Sequence, residues 1–382
     1  MLTPRPLFVG HTGTMSGAEI VLSEIAAAWA GASAFLFEDG PLRQALERRG
    51  IVVEIAGGGA TLEGLRRDRP LIGSLGLVGR LVRLIGAVAR RARDHDVVYA
   101  NSQKAFTLSA LAMIAARRPL IWHLHDILDE RHFAPFQRRL QVVLANRLAA
   151  RVLVPSTVAA EAFVAAGGRR DRVHVVPNGV AAPPAGPAPS RADLALPAGP
   201  LIGVFSRLAP WKGQHVVLRA LAELPDVRCI VAGAPLFGED AYAAELHRLV
   251  ADLGLGDRVV FLGQRSDVRD LMRVVDAVVH PSVDPEPFGL TLVEAMSVRT
   301  PVIASDAGAS VDILDGGSAG RLVPAGDAAA LAVAVRTVLA GGDAVAATVE
   351  RAAERAATLY DIERMRAVVA GHIRATVSEV RR

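Results

Sequence analysis

Glu286 and Glu294, eight residues apart in HPSVDPEPFGLTLVEAM, have the spacing in this 382-residue chain that points most directly to chemistry. Pro285, Pro287 and Gly289 mark a turn, and the helical pattern begins near Leu290, so Glu286 falls in the loop and Glu294 on the second helical turn. The N–H groups of Phe288, Gly289 and Leu290 then lie at a helix start, where free donors and the positive dipole end suit a phosphate or a sugar oxygen. A carboxylate accepts two or more hydrogen bonds, which suits sugar hydroxyls or a ribose diol. A second loop, FSRLAPWKG, offers Arg207 and Lys212 together, and two cations can neutralise a leaving diphosphate without a metal ion. The only other lysine in the chain is Lys104. A third loop, HTGTMSGAE, has Gly13 and Gly17 where backbone could approach a ligand closely, with Ser16 and Glu19 spaced as a capping box. In WHLHD, His123 and His125 are expected to face opposite sides of a strand end, leaving one imidazole for the site.

These loops need strands behind them and helices after them, and the chain supplies both. PLFVG, SAFLF, DVVYAN, PLIWHLHD, ARVLVPS and RVHVVPNG alternate with helical patterns, which predicts a parallel α/β sheet. AAPPAGPAPSRADLALPAG breaks the pattern with proline and glycine. The alternation restarts at PLIGVFS and continues through VRCIVAGA, RVVFLG, AVVHPS and PVIAS. The reading is therefore an N-terminal Rossmann-like domain over 1–182, a linker over 183–199 and a second Rossmann-like domain over 200–360. A terminal helix over 361–382 could pack back on the first. Residues 1–182 carry 23 Arg and Lys against 15 Asp and Glu, whereas 183–382 carry 20 against 24. The basic half predicts an anionic partner or a membrane surface there. The stretch 74–93 places Leu77, Val78, Leu81, Leu84, Ile85, Val88 and Ala92 on one helical face with arginines mostly elsewhere. It reads first as a domain helix packing on its own sheet and second as an amphipathic contact with the inner face of a membrane.

Taken together, SGAE, WHLHD, VPNGV, GVFSRLAPWKG, VVFLG, EPFGLTLVE and SDAGASVDILDGGSAGRLVPAGD resemble family 4 of the retaining glycosyltransferases over nearly the whole chain. The resemblance implies a GT-B fold, two Rossmann-like domains with parallel sheets facing across a deep cleft. It also implies that Arg207 and Lys212 bind the donor diphosphate, Glu286 the transferred sugar's hydroxyls and Glu294 the ribose. Backbone near Gly263 and Arg265 would hold the base, Gly17 would close on the phosphates, and His125 would stand near the reacting carbon and the acceptor. The implied reaction retains anomeric configuration by front-face attack, with the departing phosphate taking the acceptor proton. Two positions depart from the pattern: Ser16 precedes Gly17 where many members pair glycines, and Asp312 stands where a glutamate is often found.

The expected partners are a nucleotide-sugar donor, UDP- or GDP-linked, and a sugar or lipid-linked acceptor in polysaccharide or glycolipid synthesis. The acceptor would meet residues 11–16 and the stretch 131–139. Neither a cofactor nor a metal is expected. Asp94-His95-Asp96 matches the DxD spacing of metal-holding transferases, but it lies far in the pattern from the donor loops. The opening residues carry no signal-peptide pattern, which predicts a cytoplasmic protein with membrane association as an alternative. Cys229, alone in its type, is expected to be buried. A nucleotide-sugar epimerase of the same architecture would work without an acceptor, and a non-catalytic nucleotide-sugar binder would not turn over. A nucleotide-cofactor oxidoreductase lacks support, because Gly10, Gly13 and Gly17 do not make the GxGxxG fingerprint. Nucleic-acid binding has no motif behind it.

Overall fold

The computed structural model describes residues 3–56, 75–236 and 238–380, with the side chains of residues 75–77 left aside. The chain forms two compact units, Met1–Gly179 with Ile362–Arg382, and Val180–Asp361.

In the first unit, strands β1 (Pro6–Gly10), β2 (Ser33–Leu36), β3 (Val52–Ile55), β4 (Val97–Ala100), β5 (Leu120–His123), β6 (Ala149–Val154) and β7 (Val173–Val175) are joined by helices. These are α1 (Gly17–Ala26), α2 (Pro41–Glu47), α3 (Leu75–Arg93), α4 (Gln103–Ala116), α5 (Pro135–Leu148) and α6 (Thr157–Ala165). Among the described residues the sheet runs β3-β2-β1-β4-β5-β6-β7 with every pairing parallel. Helices on both faces explain why β1, β4 and β5 are apolar runs buried throughout rather than alternating. Trp122 anchors the core, stacked on Phe106 at 4.1 Å between centroids and meeting Phe163 edge-on at 6.2 Å.

The second unit carries β8 (Leu201–Phe205), α7 (Gln214–Ala222), β9 (Arg228–Ala232), α8 (Asp240–Asp252), β10 (Val259–Gly263), α9 (Val268–Val274) and β11 (Ala277–His280). It continues through α10 (Leu290–Ser297), β12 (Val302–Ser305), α11 (Ser310–Ile313), β13 (Arg321–Val323), α12 (Ala328–Ala340) and α13 (Asp343–Leu359). The sheet order is β10-β9-β8-β11-β12-β13, again parallel. Alternate residues of one strand feed opposite cores: Ile202 and Val204 on one face, Leu201 and Phe205 on the other. Cys229 is buried in the first of these, and burial pushes its thiol up to about 12.

The structure differs from this reading at one boundary and fills in two further points. The proline-rich stretch read as a linker belongs to the second unit: Leu196 is buried in its core, and Arg191 bonds the Val274 carbonyl and pairs with Asp276 at 2.8 Å. Side-chain anchors, invisible to a scan for periodicity, fix it. The terminal helix α14 (Ile362–Val380), left open between domains, lies on the first unit. Its Arg366 bonds the Glu24 carboxylate at 2.5 Å, and Arg151 of β6 donates to Thr376 at 2.9 Å. Helix α3 sinks Val88 and Ala92 into the core, packs Leu81, Leu84 and Ile85 against it and lies chiefly on α4, whereas Val78, near its N-terminal end, is 60% exposed. Residue 74 and the Leu77 side chain of that prediction lie outside the described residues.

Among the described residues no single helix is long and apolar enough to cross a membrane.

Candidate functional site

In an open parallel sheet, ligands bind at the carboxyl ends of the strands where the strand order reverses. In the second unit that point falls between β8 and β11. The loops leaving these strands are residues 206–213 and 281–289, the two loops that carry Arg207, Lys212 and Glu286.

Lys212 and Glu286 form an ion pair, with Nζ 2.8 Å from Oε2. The other carboxylate oxygen, Oε1, accepts from His280 Nε2 at 2.8 Å and from the Ser282 hydroxyl. Glu286 is only 6% exposed. Burial on its own would raise its pKa, but His280 and Lys212 outweigh that and hold the carboxyl well below the usual carboxylate range. The carboxylate is therefore ionised at any working pH.

The backbone is built to hold this arrangement. Lys212 ends a 3-10 turn, Pro210–Lys212, and Val283 N–H donates to Trp211 O at 2.9 Å, lacing the two loops together. Gly213 sits at φ +72°, and a Cβ there would lie 2.0 Å from Pro281 O. Gly308, at φ +68°, touches the Glu286 backbone, where a Cβ would approach N to 2.3 Å, and the following Ala309 N–H donates to Glu286 O. Only glycine meets both demands. Gly308→Ala is accordingly expected to displace Glu286, lowering Tm by several degrees and activity with it; thermal denaturation followed by circular dichroism, with parallel rate measurements, checks this.

Arg207 stands slightly apart. Its guanidinium pairs with Glu239 at 3.1 Å and lies over the Trp211 indole at 5.2 Å, while Lys212 Nζ lies over the same ring at 4.3 Å. Both expected cations thus share one aromatic platform.

Glu294 is half-buried on α10, beneath the helix start where Gly289 is the N-cap. Burial raises its carboxyl to about 7, against the pull of Arg269. Arg269 donates to Ala181 O, Ala182 O and Ser297 Oγ, and its buried Nε has no partner among the described residues. The Phe288 side chain packs in the core against Tyr360, so only its backbone can serve a ligand. Gly263, at φ +64°, ends β10 and accepts from Gly233 N–H at 2.8 Å. Arg265 is spent on a two-pronged bond to Asp267, which leaves its backbone as the group available to a ligand.

In the first unit the order reverses between β1 and β4, and residues 11–16 and 101–102 leave these strands. Gly13 packs against the next crossover: a Cβ would lie 2.2 Å from Asp39 O, and Gly13 O accepts from Leu42 N–H. Its glycine identity follows from that packing alone. Gly17 is exposed as the first residue of α1. The capping box is altered: the Ser16 hydroxyl donates to the buried Glu19 carboxylate instead of capping a backbone N–H. His123 and His125 share a face, contrary to the reading that they part. Residues two apart on an extended chain point the same way, and their rings lie 3.8 Å apart. Tyr99 OH meets His123 Nδ1 at 2.6 Å. His125 Nε2 lies 3.0 Å from Asn101 Oδ1, and burial lowers the His125 pKa to about 3.

Asp94-His95-Asp96 precedes β4, at the amino end of the sheet, with Asp96 accepting from Arg5 N–H at 2.8 Å. Among the described residues no three His, Cys, Asp or Glu side chains are grouped to hold a metal ion. The residues missed by sequence reasoning are His280, Ser282, Glu239, Arg269 and Asn101. His280 and Ser282 open the same HPSVDPEP segment as Glu286 and could have been found there. Asn101 ends the strand run DVVYAN, whose apolar pattern does not single it out, and Glu239 and Arg269 come from segments that carry no pattern of their own.

Residues 190–355 match the family described as glycosyl transferases group 1, and residues 16–182 match glycosyltransferase family 4. The lipopolysaccharide core biosynthesis mannosyltransferase LpcC of Rhizobium leguminosarum bv. viciae is 31% identical over 285 residues, which cover 72% of this chain and 76% of that protein. The D-inositol 3-phosphate glycosyltransferase of Mycobacterium sp. (strain JLS) is 36% identical over 216 residues, 54% of this chain and 48% of that protein, so the match spans about half of that relative. Among solved structures, Anabaena Alr3699/HepE in complex with UDP-glucose superposes with a TM-score of 0.87 at 35% identity, covering 97% of this chain and 100% of that one. The same protein has been solved with UDP.

Proposed function

The chain belongs to glycosyltransferase family 4, and from that membership we propose that it transfers a hexose from a UDP-linked donor to an acceptor hydroxyl, retaining anomeric configuration without a metal ion. The observation that carries this reading is the Lys212–Glu286 pair at the switch point of the second sheet, beside the start of α10. Arg207 and Lys212 take the diphosphate, joined by the N–H groups of Phe288, Gly289 and Leu290. Glu286 accepts hydroxyls of the transferred sugar, Glu294 the ribose diol, and backbone at Gly263 and Arg265 meets the base. In the N-terminal unit, His125 and Gly17 are the residues we assign to substrate binding, whereas Gly13 shapes its loop by packing on Asp39.

With Oε1 taken by His280 and Ser282 and Oε2 by Lys212, Glu286 is a strongly stabilised carboxylate and a poor nucleophile. That favours front-face displacement over a covalent intermediate. The acceptor oxygen bonds to the anomeric carbon as the carbon–phosphate-oxygen bond breaks on the same face, and the acceptor proton passes to the leaving phosphate. The residues then act by positioning and by stabilising charge on the diphosphate.

UDP is favoured over GDP by the 35% identical structure that holds UDP-glucose. A phosphate-bearing or lipid-linked acceptor, in polysaccharide or glycolipid synthesis, is favoured by the basic N-terminal half and by the lipopolysaccharide and inositol-phosphate relatives. A cytoplasmic enzyme touching the inner face of a membrane fits such an acceptor. The test is product analysis in EDTA with UDP-glucose and GDP-mannose, reading the anomeric proton coupling of the glycoside. A product of inverted configuration refutes retention, and isomerisation of the donor without acceptor marks an epimerase.

Glu294 adds a pH signature. A carboxyl titrating near 7 must be ionised to accept both ribose hydroxyls, so below pH 7 binding has to displace a proton. The affinity for UDP-glucose, whose diphosphate diester does not itself titrate in this range, is expected to fall by up to about tenfold per pH unit below 7 and to level off above it. Calorimetry between pH 5.5 and 8.5 checks this, with Glu294→Gln flattening the profile.

A further inference from the structure

Asn101 leaves β4 at the switch point of the first unit and is 1% exposed. Its backbone N–H donates to Val9 O at 3.0 Å, which pins it to the end of β1. Its side chain bridges two elements: Nδ2 donates to Ala18 O, in the first turn of α1, at 3.0 Å, and Oδ1 lies 3.0 Å from His125 Nε2. The amide cannot be turned over. A flip would set Oδ1 against the Ala18 carbonyl, two acceptors with no proton between them. Oδ1 therefore faces His125, and the imidazole nitrogen opposite it must carry the hydrogen.

Burial keeps the ring neutral, so it has one N–H only, on Nε2, and Nδ1 bears the lone pair. Among the described residues the ring's hydrogen bond is the one through Nε2 and Nδ1 has no hydrogen-bond partner, and His125 as a residue is only partly buried. Its neighbour His123 cannot substitute, because its Nδ1 meets Tyr99 OH and its Nε2 is sealed in the core.

We infer that Asn101 is a positioning residue that fixes His125 as the Nε2–H tautomer, so that His125 presents Nδ1 to the substrate purely as a hydrogen-bond acceptor. The inference rests on the proposed glycosyl transfer for the identity of the substrate. Its consequence is chemical selectivity. An acceptor nitrogen takes a hydroxyl hydrogen from a sugar or from the acceptor molecule, and it repels a phosphate oxygen or a carboxylate. His125 accordingly reads a hydroxyl and neither donates a proton to the leaving group nor pairs with its charge.

The test uses full-length protein with 15N-labelled histidine. Long-range 1H–15N correlation spectra of the wild type should show His125, assigned by its loss in His125→Gln, with a protonated Nε2 and an unprotonated Nδ1 at pH 7. Asn101→Ala should mix the tautomers and lower kcat/KM about 10- to 100-fold, as loss of an orienting partner typically does, while the Kd for UDP stays within about twofold. A wild-type spectrum with Nδ1 protonated, or an Asn101→Ala spectrum that keeps the wild-type pattern, overturns the inference. Absence of transfer by the wild-type protein would instead count against the proposed reaction, while the spectra still decide the role of Asn101.

Discussion

Lys212→Ala is expected to lower kcat by about 10²- to 10³-fold, the usual cost of removing one preorganised donor from a developing anion. The larger end applies because the lysine has two tasks. Its ammonium compensates Glu286 in a pocket where the two side chains are 14% and 8% exposed, and in the proposed donor complex it also takes the diphosphate. Removing one partner of a buried pair leaves the other charge uncompensated, but His280 and Ser282 still donate to Glu286, so the second unit should remain folded with a lowered Tm. Lys212→Arg should not restore the rate. A planar guanidinium is wider than an ammonium, and the site is closed by Gly213 against Pro281. Initial rates alongside circular dichroism separate the catalytic loss from the structural one, and a near-normal kcat in folded Lys212→Ala would remove this residue from the reaction.

Glu286→Gln should be nearly as damaging, through a different parameter. The amide matches the carboxylate in shape but offers one acceptor and one donor to a site that presents three donors, Lys212, His280 and Ser282. Whichever way it is turned, its NH2 faces a donor, and such a mismatched buried contact is costly. The expected result is a fall of about 10²- to 10³-fold in kcat/KM, with the affinity for UDP itself changed only severalfold. The distinguishing measurement is the ratio of UDP-glucose to UDP affinity, which should collapse toward one because the sugar contact is lost and the nucleotide contacts remain. An unchanged ratio would detach Glu286 from the sugar.

The alternation of apolar runs and helical patterns makes both parallel sheets legible in the sequence. EPFGLTLVE likewise placed Glu286 in a loop and Glu294 on α10, because proline, glycine and helix periodicity are local signals. What stayed hidden depends on contacts distant in sequence. That Lys212 pairs with Glu286 follows from the loops of β8 and β11 meeting at a switch point, and strand order is not written in either segment. The terminal helix found its unit through Arg366 with Glu24 and Arg151 with Thr376, pairs that no periodicity reveals. His125 is the less buried member of its pair, but not through the geometry expected, since both imidazoles lie on one face and burial alone separates them. Gly13 looked like a ligand loop residue, and its glycine is demanded by the backbone of Asp39.

The donor site proposed in the second unit is expected to bind a nucleotide diphosphate without metal. Calorimetric titration of UDP, GDP and ADP into the protein in EDTA, repeated on Lys212→Ala and Glu294→Ala, tests it most directly. The expected result is micromolar binding of UDP, weaker binding of the other two, and loss of UDP affinity in both variants. UDP binding that required added divalent ions, or that survived both substitutions unchanged, would contradict it.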